Sequence, residues 1–269
     1  MQEHFLKDQI YYRTNEFKGG RQTLVFMHGV SGSSSAWIPY ERIFKDKYNI
    51  LNFDIRGHGM SKKFPIYSDF ELANFATDLY DLVTHLKIPK FILISNSFSA
   101  LIALEYIKMH RETVTANIFT SPEIYVYETV LNKIIRTILK LFTWILGFLP
   151  FNPKPRGHLD YSKHIGSTDW DVKRNWADMK NTGLRAHFFT LKKSFEKNYE
   201  SLLENINMPT LVIHGEKDSM VPIKNALAIS KKILNSEFIT LKNIDHNTVH
   251  NAVEAISQAI ESFIKKNVL

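Results

Sequence analysis

Short runs of apolar residues, each ending at a polar loop, recur along most of the chain. Stretches with helical spacing follow them, such as the apolar positions Val249, Ala252, Val253, Ile256, Ile260 and Ile264. Buried strands produce such runs, and spacings of three and four residues are typical of helices with one apolar face. The pattern predicts an α/β protein in which strands and helices alternate. The clearest runs are residues 23–27, 91–94, 211–214 and 238–241.

The middle of the chain, residues 121–206, lacks this alternation and is predicted to be helical. Its most apolar part, residues 129–151, carries Lys133, Arg136 and Lys140, whose spacings place them together on one side of a helix. Two interpretations fit a narrow basic stripe opposite a wide apolar face. A cap helix whose apolar face lines a pocket or the core is favoured over a helix that docks on anionic lipid, although the two are compatible. The charges interrupt the apolar stretch and argue against a transmembrane span.

Ser97 lies where an apolar strand, residues 91–94, meets a cluster of small residues and then a helical stretch. A tight turn at this point pushes the serine hydroxyl outward and holds the backbone in a strained conformation. The arrangement resembles the nucleophile elbow of α/β-hydrolases, normally Gly-x-Ser-x-Gly. Both flanking glycines are serines here, Ser95 and Ser99, and the small size of serine is compatible with the same turn.

Two further candidates follow later strands. Asp218 lies in the polar loop after residues 211–214, and His246 lies in the loop after residues 238–241. A serine hydroxyl is a weak nucleophile until a base takes its proton, and the imidazole needs a carboxylate to orient it. The order Ser97, Asp218, His246 is the chain order of the α/β-hydrolase triad. Glu123, after the sixth strand, is an alternative acid.

Two loops near the amino terminus extend the resemblance to the α/β-hydrolase family. Residues 28–33, His-Gly-Val-Ser-Gly-Ser, are similar to the loop that contributes to the oxyanion hole in that family. Residues 54–61 are similar to its Asp-x-x-Gly-His-Gly-x-Ser turn, which we interpret as structural, so that His58 is not assigned to catalysis. The resemblance implies that the backbone N–H groups of Val30 and Phe98 form the oxyanion hole.

The resemblance also implies the architecture. We expect an α/β-hydrolase fold with a mostly parallel central sheet flanked by helices. Residues 1–120 and 207–269 would form the core domain, and residues 121–206 a helical cap inserted after the sixth core strand.

The expected activity is that of a serine hydrolase, of the carboxylesterase or lipase type, acting on a small-molecule ester with an apolar acyl group. Alternatives on the same triad are a carbon–carbon bond hydrolase, a thioesterase, an acyltransferase, or a ligand-binding receptor that retains the triad. No cofactor is expected. His246 and His250 are four residues apart, but no third ligand accompanies them, and no metal site is predicted.

Composition adds a few constraints. The sequence has 269 residues and no cysteine, which excludes disulfides and a cysteine nucleophile. Residues 1–17 show no continuous apolar run and read as two short strands joined by a turn, and a cytoplasmic protein is expected.

The net charge of +7 lies entirely in residues 131–200, which contain thirteen Lys and Arg but only six Asp and Glu. These basic residues lie beside apolar residues, and the sequence contains no nucleic-acid-binding motif. No nucleic-acid partner is therefore expected, and weak association with an anionic membrane surface remains open.

Overall fold

One eight-stranded sheet organises the molecule. The computed structural model describes residues 1–124, 129–153 and 156–268. The strands are β1 (Gln2–Leu6), β2 (Ile10–Thr14), β3 (Thr23–Met27), β4 (Asn49–Phe53), β5 (Phe91–Asn96), β6 (Val114–Thr120), β7 (Thr210–Gly215) and β8 (Ser236–Leu241). Their spatial order is β1-β2-β4-β3-β5-β6-β7-β8.

The sheet is parallel from β4 through β8, and β1 and β2 add an antiparallel edge. The central strands β3 and β4 are buried along their whole length, as expected of parallel strands covered on both faces. The predicted mostly parallel sheet is therefore confirmed, and so is the pair of short strands at the amino terminus.

Helices cover both faces of the sheet. They are α1 (Ile38–Phe44), α2 (Leu72–His85), α3 (Ser99–His110), α4 (Val130–Phe148), α5 (Val172–Thr182), α6 (Leu184–Glu196), α7 (Glu200–Leu203), α8 (Ile223–Lys232), α9 (Thr248–Asn251) and α10 (Val253–Asn267). Alternate residues of a strand point to opposite faces of the sheet. Val25 and Leu93 therefore belong to the core under α2 and α3. Leu24 and Ile92 belong to the core on the other face, under α1 and α10.

The segment between β6 and β7 contains α4 to α7, where helical structure was predicted; residues 125–128 and 154–155 of that segment lie outside the described residues. The helical structure before β7 is interrupted, because α6 ends at Glu196 and α7 begins at Glu200. The segment shares the core of the sheet, since Leu146, Ala186, Phe189 and Leu203 belong to the same buried cluster as β5 and α3.

Helix α4 was expected to turn its apolar face towards a pocket or the core, but most of that face points to solvent. Thr129 caps it by accepting the N–H of Asn132 at 3.1 Å, and Leu149 and Pro150 follow its end. Only Leu139, Thr143 and Leu146 are buried. Most of its apolar side chains are exposed, so the expectation that they line a pocket or the core is wrong for the greater part of the helix.

Candidate active site

The carboxyl ends of β3, β5, β7 and β8 meet at one edge of the sheet, and the loops that leave this edge carry the predicted residues. Because these strands are parallel, residues that follow them come together although the sequence separates them widely. Ser97 follows β5, Asp218 follows β7 and His246 follows β8.

Ser97 occupies the apex of a sharp turn from β5 into α3. Its φ is 52°, in the left-handed region that non-glycine residues rarely adopt. Such a conformation costs roughly 1–3 kcal/mol and must be maintained by its surroundings. The N–H of Ser97 donates to the carbonyl of Thr120 at 2.9 Å, which ties the turn to the end of β6. The hydroxyl is thereby held at the carboxyl edge of the sheet.

Ser99 explains how this turn forms without the second glycine. Its Oγ accepts the N–H of Asn96 at 2.8 Å and lies 3.0 Å from the carbonyl oxygens of Met27 and Asn96. The hydroxyl therefore joins the turn to the end of β3, and serine adds hydrogen bonds where glycine would add none. Ser95 is also fully buried, and its hydroxyl has no partner among the described residues.

The three side chains predicted to act together form a continuous hydrogen-bonded chain. Ser97 Oγ lies 2.9 Å from His246 Nε2, and His246 Nδ1 lies 2.7 Å from Asp218 Oδ2. With a proton on Nδ1 that points to the carboxylate, Nε2 is left to accept the serine hydroxyl. This geometry lets the imidazole take the serine proton while the carboxylate stabilises the resulting positive charge.

The carboxylate of Asp218 is held by its own loop. Its Oδ1 accepts the N–H of Met220 at 3.0 Å and of Val221 at 2.8 Å. The fully buried His214 places Nε2 at 2.9 Å from the Val221 carbonyl and 3.3 Å from Asp218 Oδ2. Burial lowers the pKa of His214, which keeps it neutral and a donor through Nε2. Asp218 is thus fixed in orientation before it meets His246.

The electrostatic environment favours a protonated His246. Burial alone lowers its pKa, but the hydrogen bond and charge of Asp218, with the charges of Glu123 and Asp169, outweigh burial and raise the pKa above its ordinary value. Burial raises the pKa of Glu123, while His246 opposes this change and Asp218 adds to it. The charge of Glu123 therefore acts on the same imidazole, but the hydrogen bond to Nδ1 comes from Asp218.

The loop after β3 lies against the Ser97 turn. A Cβ on Gly29 would meet Asn96 Nδ2 at 3.2 Å and Ser97 Cβ at 3.3 Å, so a larger residue here would push against the Ser97 turn and require its atoms to shift. Val30 follows directly, and Phe98 follows Ser97. Within the described residues, neither of their backbone N–H groups donates a hydrogen bond to the protein. Both donors remain available at the turn.

His28 fixes the start of that loop. It accepts the N–H of Ile55 through Nε2 at 3.1 Å, and its Nδ1 therefore carries the proton that it donates to the Gly29 carbonyl at 2.8 Å. Burial lowers the pKa of His28 to about 4. A neutral imidazole in one tautomer thus braces the loop.

Ser31, three residues after His28, is held by two side chains from the helical segment. Its φ is 60°, its Oγ is hydrogen-bonded to Nδ1 of His187, and its carbonyl accepts the hydroxyl of Thr182 at 2.8 Å. Burial lowers the pKa of His187 to about 4. Neither His187 nor Thr182 carries a signal that sequence reasoning could have used, because both lie in ordinary helical surroundings.

Asp169 is a further residue that the sequence did not reveal. This buried carboxylate accepts the backbone N–H of His246 through Oδ1 at 2.8 Å. Its Oδ2 accepts the N–H and the hydroxyl of Ser219 at 3.0 and 2.8 Å. One side chain from the helical segment therefore joins the loop of Asp218 to the loop of His246.

The turn over residues 54–61 has a dense hydrogen-bond network of its own. Asp54 is fully buried and accepts the N–H of Ser34 at 2.6 Å and of Met60 at 2.7 Å, and Nε2 of His158 lies 2.7 Å from its Oδ2. A Cβ on Gly59 would lie 2.2 Å from that oxygen, which explains the glycine.

The remaining histidines of interest have other contacts. The ring of His58 is fully buried, its centroid lies 5.5 Å from that of His28, and its Nδ1 lies 2.9 Å from the carbonyl oxygen of Arg56. His250 stacks on Tyr161 with ring centroids 4.3 Å apart. Over residues 1–124, 129–153 and 156–268, no group of three or more His, Cys, Asp or Glu is placed to hold a metal ion.

Comparison with known proteins places these observations in a family. Residues 22–252 match the family described as the alpha/beta hydrolase fold. A Haemophilus influenzae protein provisionally named an esterase/lipase is 25% identical over 276 residues, covering 97% of this chain and 90% of that protein. A non-heme haloperoxidase of Rhodococcus erythropolis is 23% identical over 276 residues, covering 96% of each.

A solved structure supports the same fold. A thermophilic esterase from Thermogutta terrifontis superposes with a TM-score of 0.72 at 19% identity, over 96% of this chain and 94% of that one. At this identity the likeness concerns the fold alone. The family match, by contrast, covers most of the chain, and the protein belongs to the α/β-hydrolase fold family.

Proposed function

We propose that this protein is a serine hydrolase that cleaves carboxylic esters with an apolar acyl group through an acyl-enzyme on Ser97. The observation that carries the proposal is the chain of two hydrogen bonds, 2.9 Å from Ser97 Oγ to His246 Nε2 and 2.7 Å from His246 Nδ1 to Asp218 Oδ2. Names of relatives such as esterase/lipase agree with it.

The proposed reaction has two halves. Ser97 Oγ attacks the ester carbonyl as His246 Nε2 takes its proton, and the N–H groups of Val30 and Phe98 hold the negative oxygen of the tetrahedral intermediate. The C–O bond then breaks, and the alcohol leaves with the proton from His246. Water attacks the acyl-enzyme by the same route, and the acid leaves while Ser97 regains its proton.

The preference for an apolar acyl group rests on what surrounds the turn. Phe98 and Ile124 are buried in the same apolar cluster as Leu146, and Val30 and Phe188 pack against that cluster. We propose that the helical segment acts as a cap, since Asp169, Thr182 and His187 reach from it to the loops of the site.

Active-site labelling and turnover together test the proposal. A fluorophosphonate should form its adduct on Ser97, as mapped by mass spectrometry, and Ser97→Ala should lower kcat on p-nitrophenyl esters by on the order of 10⁴-fold or more. Ser68→Ala, at an exposed serine, is the control and should react as the parent does. An adduct on another serine would refute the assignment of Ser97.

A series of acyl chains tests the substrate class. Each CH₂ buried contributes about 0.8 kcal/mol, so kcat/KM should rise roughly three- to fourfold per methylene from acetate upward until the pocket is filled. Thioesters and aminoacyl p-nitroanilides serve as comparison substrates. Turnover of either without turnover of the oxygen esters would show that ester cleavage is the wrong activity.

A further inference from the structure

Helix α4 presents two faces with opposite surroundings. One face, with Leu139, Thr143 and Leu146, packs on α6, where the rings of Phe142 and Phe188 meet at 4.6 Å. The other face is apolar and exposed. Its side chains, here called the apolar face, are between 43% and 76% exposed and belong to Val130, Leu131, Ile134, Ile138, Leu141, Trp144, Ile145 and Phe148.

The apolar face is continuous along the whole helix. Val130, Ile134, Ile138, Leu141, Ile145 and Phe148 follow one another at intervals of three and four residues, which aligns them in a single strip. Single exposed apolar residues are ordinary on a protein surface, but a contiguous strip with a tryptophan and a phenylalanine marks a surface that binds something.

Positive charge borders this strip. Lys133 and Lys140 are exposed along one edge of the apolar face, Arg136 lies between them, and α4 contains no acidic residue. Residues 131–200 also carry the whole net charge of +7. A second copy of this chain would bring its own Lys133 and Lys140 towards those of the first copy across a two-fold axis, whereas an anionic partner would meet both lysines favourably.

The carboxyl end of α4 adds room for an alkyl chain. A cavity of about 170 Å³ opens there, lined largely by apolar residues that include Leu146, Leu149, Phe151 and Leu184. Lys63 and Arg185 also line it. A lipid membrane matches all three features: its hydrocarbon matches the apolar strip and the cavity, and its anionic headgroups match the basic edge.

We propose that α4 docks by its apolar face into the surface of an anionic lipid membrane, with Lys133 and Lys140 against the headgroups. The helix would lie in the plane of the interface, at the depth where tryptophan and phenylalanine are favoured. In the described part of the chain, no helix has the length and apolar character needed to cross a bilayer. This surface goes beyond the proposed ester hydrolysis, to which it would add delivery of the enzyme to lipid.

Vesicle flotation tests the proposal. The parent protein should float with vesicles of phosphatidylcholine and phosphatidylglycerol at 0.1 M salt, bind pure phosphatidylcholine at least tenfold more weakly, and dissociate at 1 M salt. Lys133→Glu with Lys140→Glu should weaken partitioning by roughly tenfold or more. Ile138→Ser with Leu141→Ser should weaken it comparably, because apolar insertion is lost. Ser97→Ala should float as the parent does, so failure of the proposed activity leaves this test intact.

Two controls make the outcome decisive. Lys90→Glu with Lys265→Glu makes the same change in charge at exposed residues outside α4 and should float as the parent does. Loss of binding in this control would assign binding to overall charge and overturn the proposal. Failure of the parent to float would overturn it too. Light scattering could instead show that the parent is a dimer and that Ile138→Ser with Leu141→Ser makes it a monomer. This result would also overturn the proposal, because a second copy of the chain would then cover the apolar face. The far-UV circular dichroism spectrum and the urea midpoint of each variant should match those of the parent, which shows that the variants are folded whether or not the protein hydrolyses esters.

Discussion

The carboxylate of Asp169 holds the backbone of His246, with Oδ1 2.8 Å from the backbone nitrogen. The same carboxylate accepts two hydrogen bonds from Ser219, the neighbour of Asp218. A buried acid of the helical segment thus sets the distance between the loops of the proposed acid and base. Its negative charge also contributes to the raised pKa of His246.

Asp169→Asn should impair the reaction without changing the chemistry of the triad. An amide keeps the size of the side chain but presents a donor to groups that are themselves donors, so at least one loop is released. Misplacement by about 1 Å can cost on the order of 10²-fold in rate, and kcat should fall by roughly 10- to 100-fold.

The pH profile separates this role from simple loss of stability. Removal of the charge lowers the pKa of His246, so the rise of kcat/KM with pH should move to lower pH in Asp169→Asn. Asp171→Asn makes the same chemical change two residues away, at the cap of α5, and should leave the midpoint where it is in the parent. An unmoved midpoint in Asp169→Asn would contradict the role assigned to its charge.

Activity should depend on the neutral form of His246, because only that form accepts the serine proton. Since the environment raises its pKa, kcat/KM should rise with pH through a midpoint above the ordinary histidine value of about 6.5. Rates on a p-nitrophenyl ester between pH 5 and 9 measure this midpoint. A flat profile across that range would argue against His246 as the base.

The two acids whose charges act on His246 should differ sharply in their importance for catalysis. Asp218→Asn removes the acceptor that fixes the Nδ1–H tautomer and should lower kcat by on the order of 10⁴-fold. Glu123→Gln removes only a charge effect on His246 and should lower kcat by less than about tenfold. Steady-state kinetics of both variants decide the assignment, and a larger loss in Glu123→Gln would reverse it.

Acid should destabilise the fold through His28. Burial keeps its folded-state pKa at about 4, whereas the unfolded chain binds the proton near pH 6.5, so unfolding is favoured as pH falls between these values. The difference corresponds to on the order of 3 kcal/mol of unfolding free energy, fully present above pH 6.5 and lost by about pH 4.

Urea unfolding at several pH values measures this loss. The fall in unfolding free energy from pH 7 to pH 4.5 should be smaller in His28→Gln than in the parent. His85→Gln, at an exposed histidine of α2, is the matched control and should retain the parent slope. Equal slopes in all three proteins would exclude His28 as the source.

The sequence alone determined the alternation of strands and helices and the identity of the residues at the strand ends. Both depend on local properties: apolar runs predict buried strands, and parallel strands bring the loops after β5, β7 and β8 to one edge. Ser97, Asp218 and His246 could therefore be named together before any contact was known. The small size of serine also indicated that Ser95 and Ser99 could replace the two glycines of the turn. The hydrogen bond from Ser99 to Met27 could not be predicted, because it joins the turn to the distant strand β3.

Contacts between distant segments were decided only by the tertiary structure. Spacing could not choose between Asp218 and Glu123, because both follow neighbouring parallel strands, and only the tertiary structure shows that Asp218 is the acid hydrogen-bonded to Nδ1 of His246. Asp169 and His187 had no local signal, since their partners lie in loops far away in sequence. The periodicity of α4 predicted an apolar face but not what that face meets, because amphipathicity describes one helix and exposure depends on everything packed around it.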